Sequence, residues 1–451
     1  MKEPAVLFRE TLVSLLEEKK YPTLRDVLVT LNPADIAALF EELPADRLPL
    51  LFRLLPKELA AETFVEMEPD EQELLIRGFS DNELKEVIDE LYLDDAVDIV
   101  EEMPANVVKR ILRSADPDTR KMINEILKYP EDSAGSIMTI EYVRLRRQFT
   151  VEQAIKHIRR TGIDKETIYT CYVTDDNRRL LGFVSVKTLL LSDEEASIED
   201  VMETNVIYVH TSEDREVVAN LFHKYNFIAL PVVDDEQRLV GIVTVDDALD
   251  VMQEEYTEDI EKMAAITPSG KPYLKTSVFA LWKARIPWLL LLMISATFTG
   301  MIITAFEQAL AAQVTLAAFI PMLMDTGGNC GSQSSATVIR GLSLDEIEFS
   351  DLLRVQWKEI RVAVLCGVTL AAASFAKLLL FDKVTLAVAL VVCVTLAVTV
   401  LCAKVVGCTL PILSMKVGFD PAVMSSPFIT TIVDAISLML YFSVATAVLG
   451  L

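Results

Sequence analysis

The chain has 451 residues and carries 42 Lys and Arg against 67 Asp and Glu, a formal net charge of −25, yet 52% of it is hydrophobic. Divided at residue 275, the first part holds 32 basic and 57 acidic side chains and the second holds 10 of each, so the charge excess and the apolar excess occupy different segments. This excludes a single globular domain, a secreted disulfide scaffold and a nucleic-acid binder acting through a basic face.

The six cysteines (Cys171, Cys330, Cys366, Cys393, Cys402, Cys408) show no CxxC spacing, and five lie in the apolar half, which suits small buried hydrophobes better than zinc or redox chemistry. Three histidines, His157, His210 and His223, are too scattered to form a ligand cluster. The N-terminus has no apolar h-region, so no cleaved signal peptide is expected and the acidic part is expected on the cytoplasmic side.

Residues 24–128 read as short stacked helices. Breaker-plus-acid signatures recur at Pro33-Ala34-Asp35, Pro44-Ala45-Asp46, Pro56-Lys57-Glu58, Pro69-Asp70-Glu71, Ser80-Asp81-Asn82, Leu93-Asp94-Asp95 and Pro104. Proline suits a first helical position and an acid in the first turn complements the helix dipole, so each period predicts one short helix and a turn. Stacked, they make a superhelical domain that binds or transmits.

Residues 137–260 contain a duplication. Thr174-Asp175-Asp176 through Val186 matches Val233-Asp234-Asp235 through Val245. Each copy predicts helix, strand, acidic turn, strand, helix. The pair resembles tandem CBS domains, with Gly241-Ile242-Val243-Thr244-Val245-Asp246-Asp247 as the specific part. That resemblance implies an adenosine nucleotide such as ATP, held by a Thr or Ser and an Asp three residues later. Copy two has Thr244 and Asp247; copy one has Ser185 but Thr188 in the place of the acid, a departure from the pattern.

Next, Asp247, Asp250, Glu254, Glu258 and Glu261 recur every three or four residues and align on one helical stripe. Two carboxylates about 5 Å apart repel by roughly 3 kcal/mol at an effective dielectric near 20, so such a stripe suits divalent cations. A solvated acidic helix is the alternative.

Five spans are expected in the apolar half, at about 286–306, 312–340, 360–381, 384–412 and 428–450. Lys283 and Arg285, then Arg340, Arg354, Lys358 and Arg361, fall on the cytoplasmic face with the acidic part inside. Within the membrane, Asp434 stands out, with Thr430 and Thr431 one turn before it; a salt bridge to Lys404 or Lys377 is its structural alternative. Pro321 and the adjacent Gly327 and Gly328 are expected to break the second span and free backbone carbonyls, which Asp325, Asn329 and Gln333 would join in an oxygen-rich lining.

The Thr326-Gly327-Gly328-Asn329 to Ser334 stretch, the Asp434 segment, the CBS pair and the helical N-terminal part together resemble the MgtE family of magnesium channels and transporters over essentially the whole chain. The resemblance implies an acidic helical N-domain at 1–130, CBS domains at 131–200 and 201–252, a connecting plug helix at 253–276 and five transmembrane helices in 277–451. It also implies a homodimer in the cytoplasmic membrane, a pore on its axis lined by the second and fifth helices, and capture of Mg2+ by Asp434. Sensor acids carried over by position are Glu62, Asp94, Asp98, Glu216, Asp247, Asp250, Glu255, Glu258, Asp259 and Asp420, which would bind Mg2+ and close the pore when internal Mg2+ is high. Asn226 and Ser332 depart from residues known in relatives, and so does Asp325, which either adds negative potential near the pore or caps a helix. A carrier of another divalent metal such as Co2+ or Mn2+, an exporter, and a membrane-anchored sensor without transport are the competing readings. No nucleophile–base pair or phosphate-binding glycine loop suggests an enzyme.

Overall fold

The structure, a computed structural model, describes residues 11–269, 273–344, 346–424 and 426–450. It divides into two compact units, one ending at Met252 and the other beginning at Gln253.

The first unit opens with a helical segment at 11–17 and then nine helices: α1 (Tyr21–Leu28), α2 (Pro33–Glu41), α3 (Leu48–Phe52), α4 (Lys57–Val65), α5 (Pro69–Gly78), α6 (Asp81–Ile88), α7 (Leu93–Glu102), α8 (Ala105–Ser114) and α9 (Pro117–Ile126). Helix starts follow the breaker-plus-acid signatures closely, except that α3 begins at Leu48, after a turn that holds Pro44, Ala45 and Asp46. Ser80 and Glu83 form a capping box at the start of α6, each side chain accepting the other's backbone N–H. Arg53 donates Nε to Glu83 at 2.7 Å and, with the Ser80 bonds, holds that carboxyl down at about 2. One apolar core threads the stack, with Phe52, Phe64 and Phe79 in ring contact and Leu24, Leu28, Ile36, Phe40 and Leu75 fully buried.

Two small sheets follow, of identical plan. Strands β1 (Tyr142–Arg146), β2 (Thr167–Thr174) and β3 (Leu180–Ser185) form one, and β4 (Val209–His210), β5 (Ala229–Val233) and β6 (Leu239–Thr244) the other, each with a parallel first pair and an antiparallel second. Helices α10 (Val151–Thr161), α11 (Val186–Leu191), α12 (Ile198–Val201) and α13 (Arg215–Tyr225) flank them. The pairs Val173↔Gly182 and Val232↔Gly241 repeat the same register in both copies. The glycines are required by close approach: a Cβ on Gly182 would stand 2.6 Å from Glu203 O, and one on Gly241 2.8 Å from Thr139 O. A bridge between Arg179 and Arg238 joins the two hairpin turns, so the copies pack on each other as a pseudo-dimer.

Helix α14 (Val245–Met263) leaves β6 and runs without interruption past the unit boundary. The connecting segment expected at 253–276 is thus helical only to Met263, and Gly270, Lys271 and Pro272 lie outside the described residues.

The second unit contains α15 (Val278–Ala305), the short α16 (Glu307–Ala312), α17 (Ile320–Ser343), α18 (Leu352–Leu380), α19 (Leu386–Val417) and α20 (Ser426–Leu449). Among the described residues, four helices are long and apolar enough to cross a membrane: α15, α18, α19 and α20, the second and fourth extended by 3-10 turns. Their outward faces carry Phe279, Phe298, Met301, Leu365 and Val368, each at least 60% exposed, a surface suited to hydrocarbon. Helix α17 packs between α19 and α20 and is polar for its length.

One expectation is overturned here. Gly327 and Gly328 do not break the helix at the second expected span, which is not among these four; α17 is continuous from Ile320 to Ser343, and its carbonyls stay in the helical ladder. Pro321 sits in the first turn, where its missing N–H costs nothing. The glycines serve packing. A Cβ on Gly327 would lie 2.8 Å from Thr399 and Val433, and one on Gly331 2.6 Å from Ile429. Removing side chains lets three helices approach closely, as small residues do between membrane helices.

Candidate functional site

Two constellations carry chemistry. The first is in the soluble unit, where the first turn of α7 supplies Asp94 and Asp95 and the next turn Asp98. Glu141 reaches this helix end from the start of β1 and accepts a hydrogen bond from Leu93 N at 3.1 Å. Glu166 is brought beside Glu141 because β1 and β2 pair in parallel immediately after them, and its N–H bonds Glu141 O at 2.9 Å. Carboxylate oxygens of Asp94, Glu141 and Glu166 all lie within 4.8 Å of one another. Asp247 stands at the start of α14, where its Oδ2 accepts from Thr244 Oγ1 at 2.5 Å.

Burial and mutual repulsion raise these acids together. Burial first, then the Asp247 charge, lifts Asp94 well above the carboxylate range, Asp95 to about 7 and Asp98 to about 8. Glu166 rises to about 8 through burial and Asp95, and Asp247 to about 6 through burial against the opposing Thr244 bond. Asp95, Asp98 and Glu166, raised to about 7, 8 and 8, hold a share of their protons at neutral pH, and a hard divalent cation would relieve the same repulsion.

Of the acids expected as sensors, the structure gathers Asp94, Asp98 and Asp247 around Asp95, Glu141 and Glu166. Glu62 is exposed on α4, and Asp250 is exposed on α14, one turn after Asp247. Glu216 lies in the first turn of α13, its N–H donating to Asp214 Oδ1. Asn226 ends α13 in the left-handed conformation at φ 54°, a helix-terminating role that asparagine fills well. Sequence reasoning missed Glu141 and Glu166; each ends the residues before a strand, and only the parallel pairing brings them together.

At the nucleotide positions, Ser185 Oγ accepts from Thr188 N at 3.0 Å and caps α11, while Thr244 and Asp247 bond each other at the start of α14.

The second constellation is in the apolar unit. Asp325, Asn329 and Gln333 recur every four residues on the exposed face of α17, whereas Gly327, Gly328, Gly331, Ser334 and Ser335 are buried on its other side. Helix α20 lies against that side through Ile429, Thr430 and Val433. Asp434 follows directly, close enough to Asp325 to interact electrostatically, and its Oδ1 is buried without a hydrogen-bond partner among the described residues. Thr431 Oγ1 is turned back to Pro427 O at 3.0 Å. Neither lysine considered as a partner reaches Asp434: Lys377 pairs with Asp382 at 2.8 Å, and Lys404 with Glu359 at 3.5 Å.

Helix α14 touches both ends of this arrangement within the second unit. The Arg340 guanidinium lies 4.9 Å from the Tyr256 ring centre. Lys262 bonds Asp420 at 2.6 Å and also Glu258, one turn back. Asp259 is raised by burial and by Asp420. Glu255 is half-buried on the same helix.

Comparison with known proteins adds three family matches: a divalent cation transporter domain of the MgtE type over residues 320–444, an MgtE intracellular N domain over 31–132, and CBS domains over 134–194 and 198–254. The magnesium transporter MgtE of Thermus thermophilus is 39% identical over 443 residues, covering 97% of this chain and 98% of that protein. Its namesake in Bacillus subtilis is 33% identical over 97% of this chain and 96% of that protein. Among solved structures, the cytosolic domain of the Mg2+ channel MgtE in complex with ATP is 40% identical, with a TM-score of 0.52, over 54% of this chain and 99% of that one. The soluble part of a magnesium transporter matches at 28% identity and the same TM-score, over 56% and 99%.

Proposed function

The chain belongs to the MgtE family of divalent cation transporters and is a membrane protein with soluble N-terminal domains rather than an enzyme, and from this premise we propose that it conducts Mg2+ through the cytoplasmic membrane. The observation that carries the proposal is Asp434 Oδ1, a buried carboxylate oxygen without a partner among the described residues, beside the polar face of α17. Mg2+ is small, hard and slow to lose its waters, so a hydrated ion held by carboxylates and amides is the cargo such a face suits.

Helix α17 then acts as the second of five spans. The exposed row Asp325, Asn329 and Gln333 lines the path, with Gly327 and Gly328 allowing Thr430, Thr431 and Asp434 of α20 to lie alongside. A polar face on a membrane helix has to meet water or protein, and a homodimer with the path on its two-fold axis supplies that surroundings.

On the cytoplasmic side, Asp94, Asp98, Glu141, Glu166 and Asp247 would hold Mg2+ between the helical domain and the CBS pair, and Glu258, Asp259 and Asp420 between the connecting helix and the base of α20. Glu62, Glu216, Asp250 and Glu255 would contribute at the edges. Binding favours the compact arrangement in which the acids are close, so high internal Mg2+ shifts the population toward a closed pore. ATP or another adenosine nucleotide would occupy the CBS pair near Thr244 and Asp247; that the similar cytosolic domain was solved in complex with ATP supports nucleotide binding in this part of the chain.

The test is uptake into proteoliposomes with Mg2+, Co2+, Mn2+ and Ca2+ offered separately. Mg2+ uptake that is lost at least tenfold in Asp434→Ala, with the protein eluting and melting as the parent does, is the expected result. Uptake of Co2+ or Mn2+ in its place would assign another cargo, and no uptake at all would leave a sensor without transport.

A further inference from the structure

Lys404 is only 5% exposed although it lies in the middle of an apolar helix. Its Nζ donates to Ser334 Oγ of α17 at 3.1 Å and lies 3.5 Å from Glu359 Oε2 of α18. Ser334 in turn donates to the same Glu359 oxygen at 2.6 Å. One hydroxyl is therefore both acceptor and donor in a chain that joins three helices. Ser334 itself is 2% exposed and lies on the side of α17 turned away from Asp325, Asn329 and Gln333.

One turn from this triad α17 and α19 meet at backbone level: a Cβ on Gly407 would stand 2.3 Å from Gly331 O. A glycine crossing permits close approach but, having no side chains, offers little resistance to rotation about the helix axis. Polar side chains bonded in low dielectric do resist it, because turning α17 would withdraw the Ser334 hydroxyl from between the Lys404 ammonium and the Glu359 carboxylate, costing two buried hydrogen bonds to charged groups.

We propose that Ser334, Glu359 and Lys404 form a rotational latch that sets the facing of α17, so that Asp325, Asn329 and Gln333 are presented and Cys330 is kept inside. These are positioning residues. The latch rests on the reading of α17 as a pore helix for its consequence in transport, though not for its structural effect.

Cys330 reports the effect directly. It follows Asn329, about 100° further round the helix, and is 8% exposed, while Cys393 on α19, equally shielded, serves as a reporter for the bundle as a whole. Full-length protein in detergent would be alkylated with N-ethylmaleimide and each cysteine followed by site-resolved mass spectrometry. Two variants are compared with the parent: Ser334→Ala, which removes the hydroxyl alone, and Glu359→Leu with Lys404→Met, which removes the pair without leaving a buried charge. Alkylation of Cys330 should accelerate about tenfold in both through local opening, with Cys393 still protected, and Mg2+ uptake should fall by about the same factor. Alkylation of Cys330 at the parent rate in both variants would overturn the latch. A parallel rise at Cys393 would overturn it too, since the triad would then be holding the bundle together rather than orienting one helix. Faster Cys330 alkylation with undiminished uptake would keep the latch and count against the pore reading of α17.

Discussion

Lys262 Nζ lies 2.6 Å from Asp420 Oδ2, which ties the last turn of α14 to the residue before the 3-10 turn that leads into α20. The same ammonium bonds Glu258, and Asp259 is half-buried beside them, so one cation sits among three acids. Replacing it with Lys262→Met leaves those acids facing one another with only Arg340 acting on Asp259 as a countercharge. Without added Mg2+, cleavage by protease in the segment after Met263 should then become several-fold faster than in the parent, and Mg2+ should restore protection. Equal cleavage of the two proteins across all Mg2+ concentrations would show that the ion pair does not hold this junction.

The acid cluster around Asp94 predicts an unusual pH dependence. In the unfolded chain these carboxyls titrate near 4; in the folded one Asp95, Asp98 and Glu166 titrate at about 7, 8 and 8. Their folded values are raised, so the folded state binds more protons than the unfolded state between about pH 4 and pH 8, and stability falls as pH rises through that window. A fully buried group loses at most about 1.4 kcal/mol per pH unit, and those reaching solvent, Asp98 among them, lose less. The melting temperature of the segment 11–252 of the full chain, followed in chelator, should therefore drop between pH 5 and pH 8, and millimolar Mg2+ should abolish most of the drop. A melting temperature that rises with pH in chelator would contradict the clustering.

Ser80 tests the register of the helical repeats. Its hydroxyl accepts from Glu83 N at 3.3 Å while Glu83 accepts from Ser80 N at 2.8 Å. Ser80→Ala removes one half of that box and should cost about 1 kcal/mol, a fall of about 2–4 °C by calorimetry. Ser114→Ala, at the far end of α8, has no cap to lose and removes a buried hydroxyl without a partner among the described residues, so it should leave the melt unchanged or slightly raised.

Gly407 and Gly300 make a matched pair in the apolar unit. A methyl on Gly407 meets backbone at 2.3 Å and cannot be relieved by a rotamer change, whereas nothing lies within 4 Å of a methyl on Gly300. Gly407→Ala should destabilise the detergent-solubilised protein by about 1–3 kcal/mol, and Gly300→Ala should leave it unchanged or slightly firmer. Thermal melts followed by gel filtration separate the two. Similar melts for both would mean that the α17–α19 crossing is looser than the backbone positions require.

Much of this architecture is written locally. The split of charge at residue 275, the prolines and acids that start α2, α5 and α7, and the repeat that makes Gly182 and Gly241 equivalent are all signals within a dozen residues, and helix caps and strand alternation act over that range. Asp434 was legible for the same reason: an acid in an apolar run needs no partner to be conspicuous.

What the tertiary structure decided concerns partners chosen across long separations. Gly327 and Gly328 look like helix breakers by propensity, but contacts with Thr399, Thr430 and Val433 turn them into packing surface in an unbroken helix. Lys404 could have answered Asp434 by charge alone; the fold gave it Ser334 and Glu359, 70 and 45 residues away, and left Asp434 Oδ1 without a partner among the described residues. Glu141 and Glu166 join Asp94 only because two strands pair in parallel. Composition and period state which chemistry a segment can offer, but the choice among equally charged candidates depends on which backbones pack closely enough to bring them within hydrogen-bonding distance.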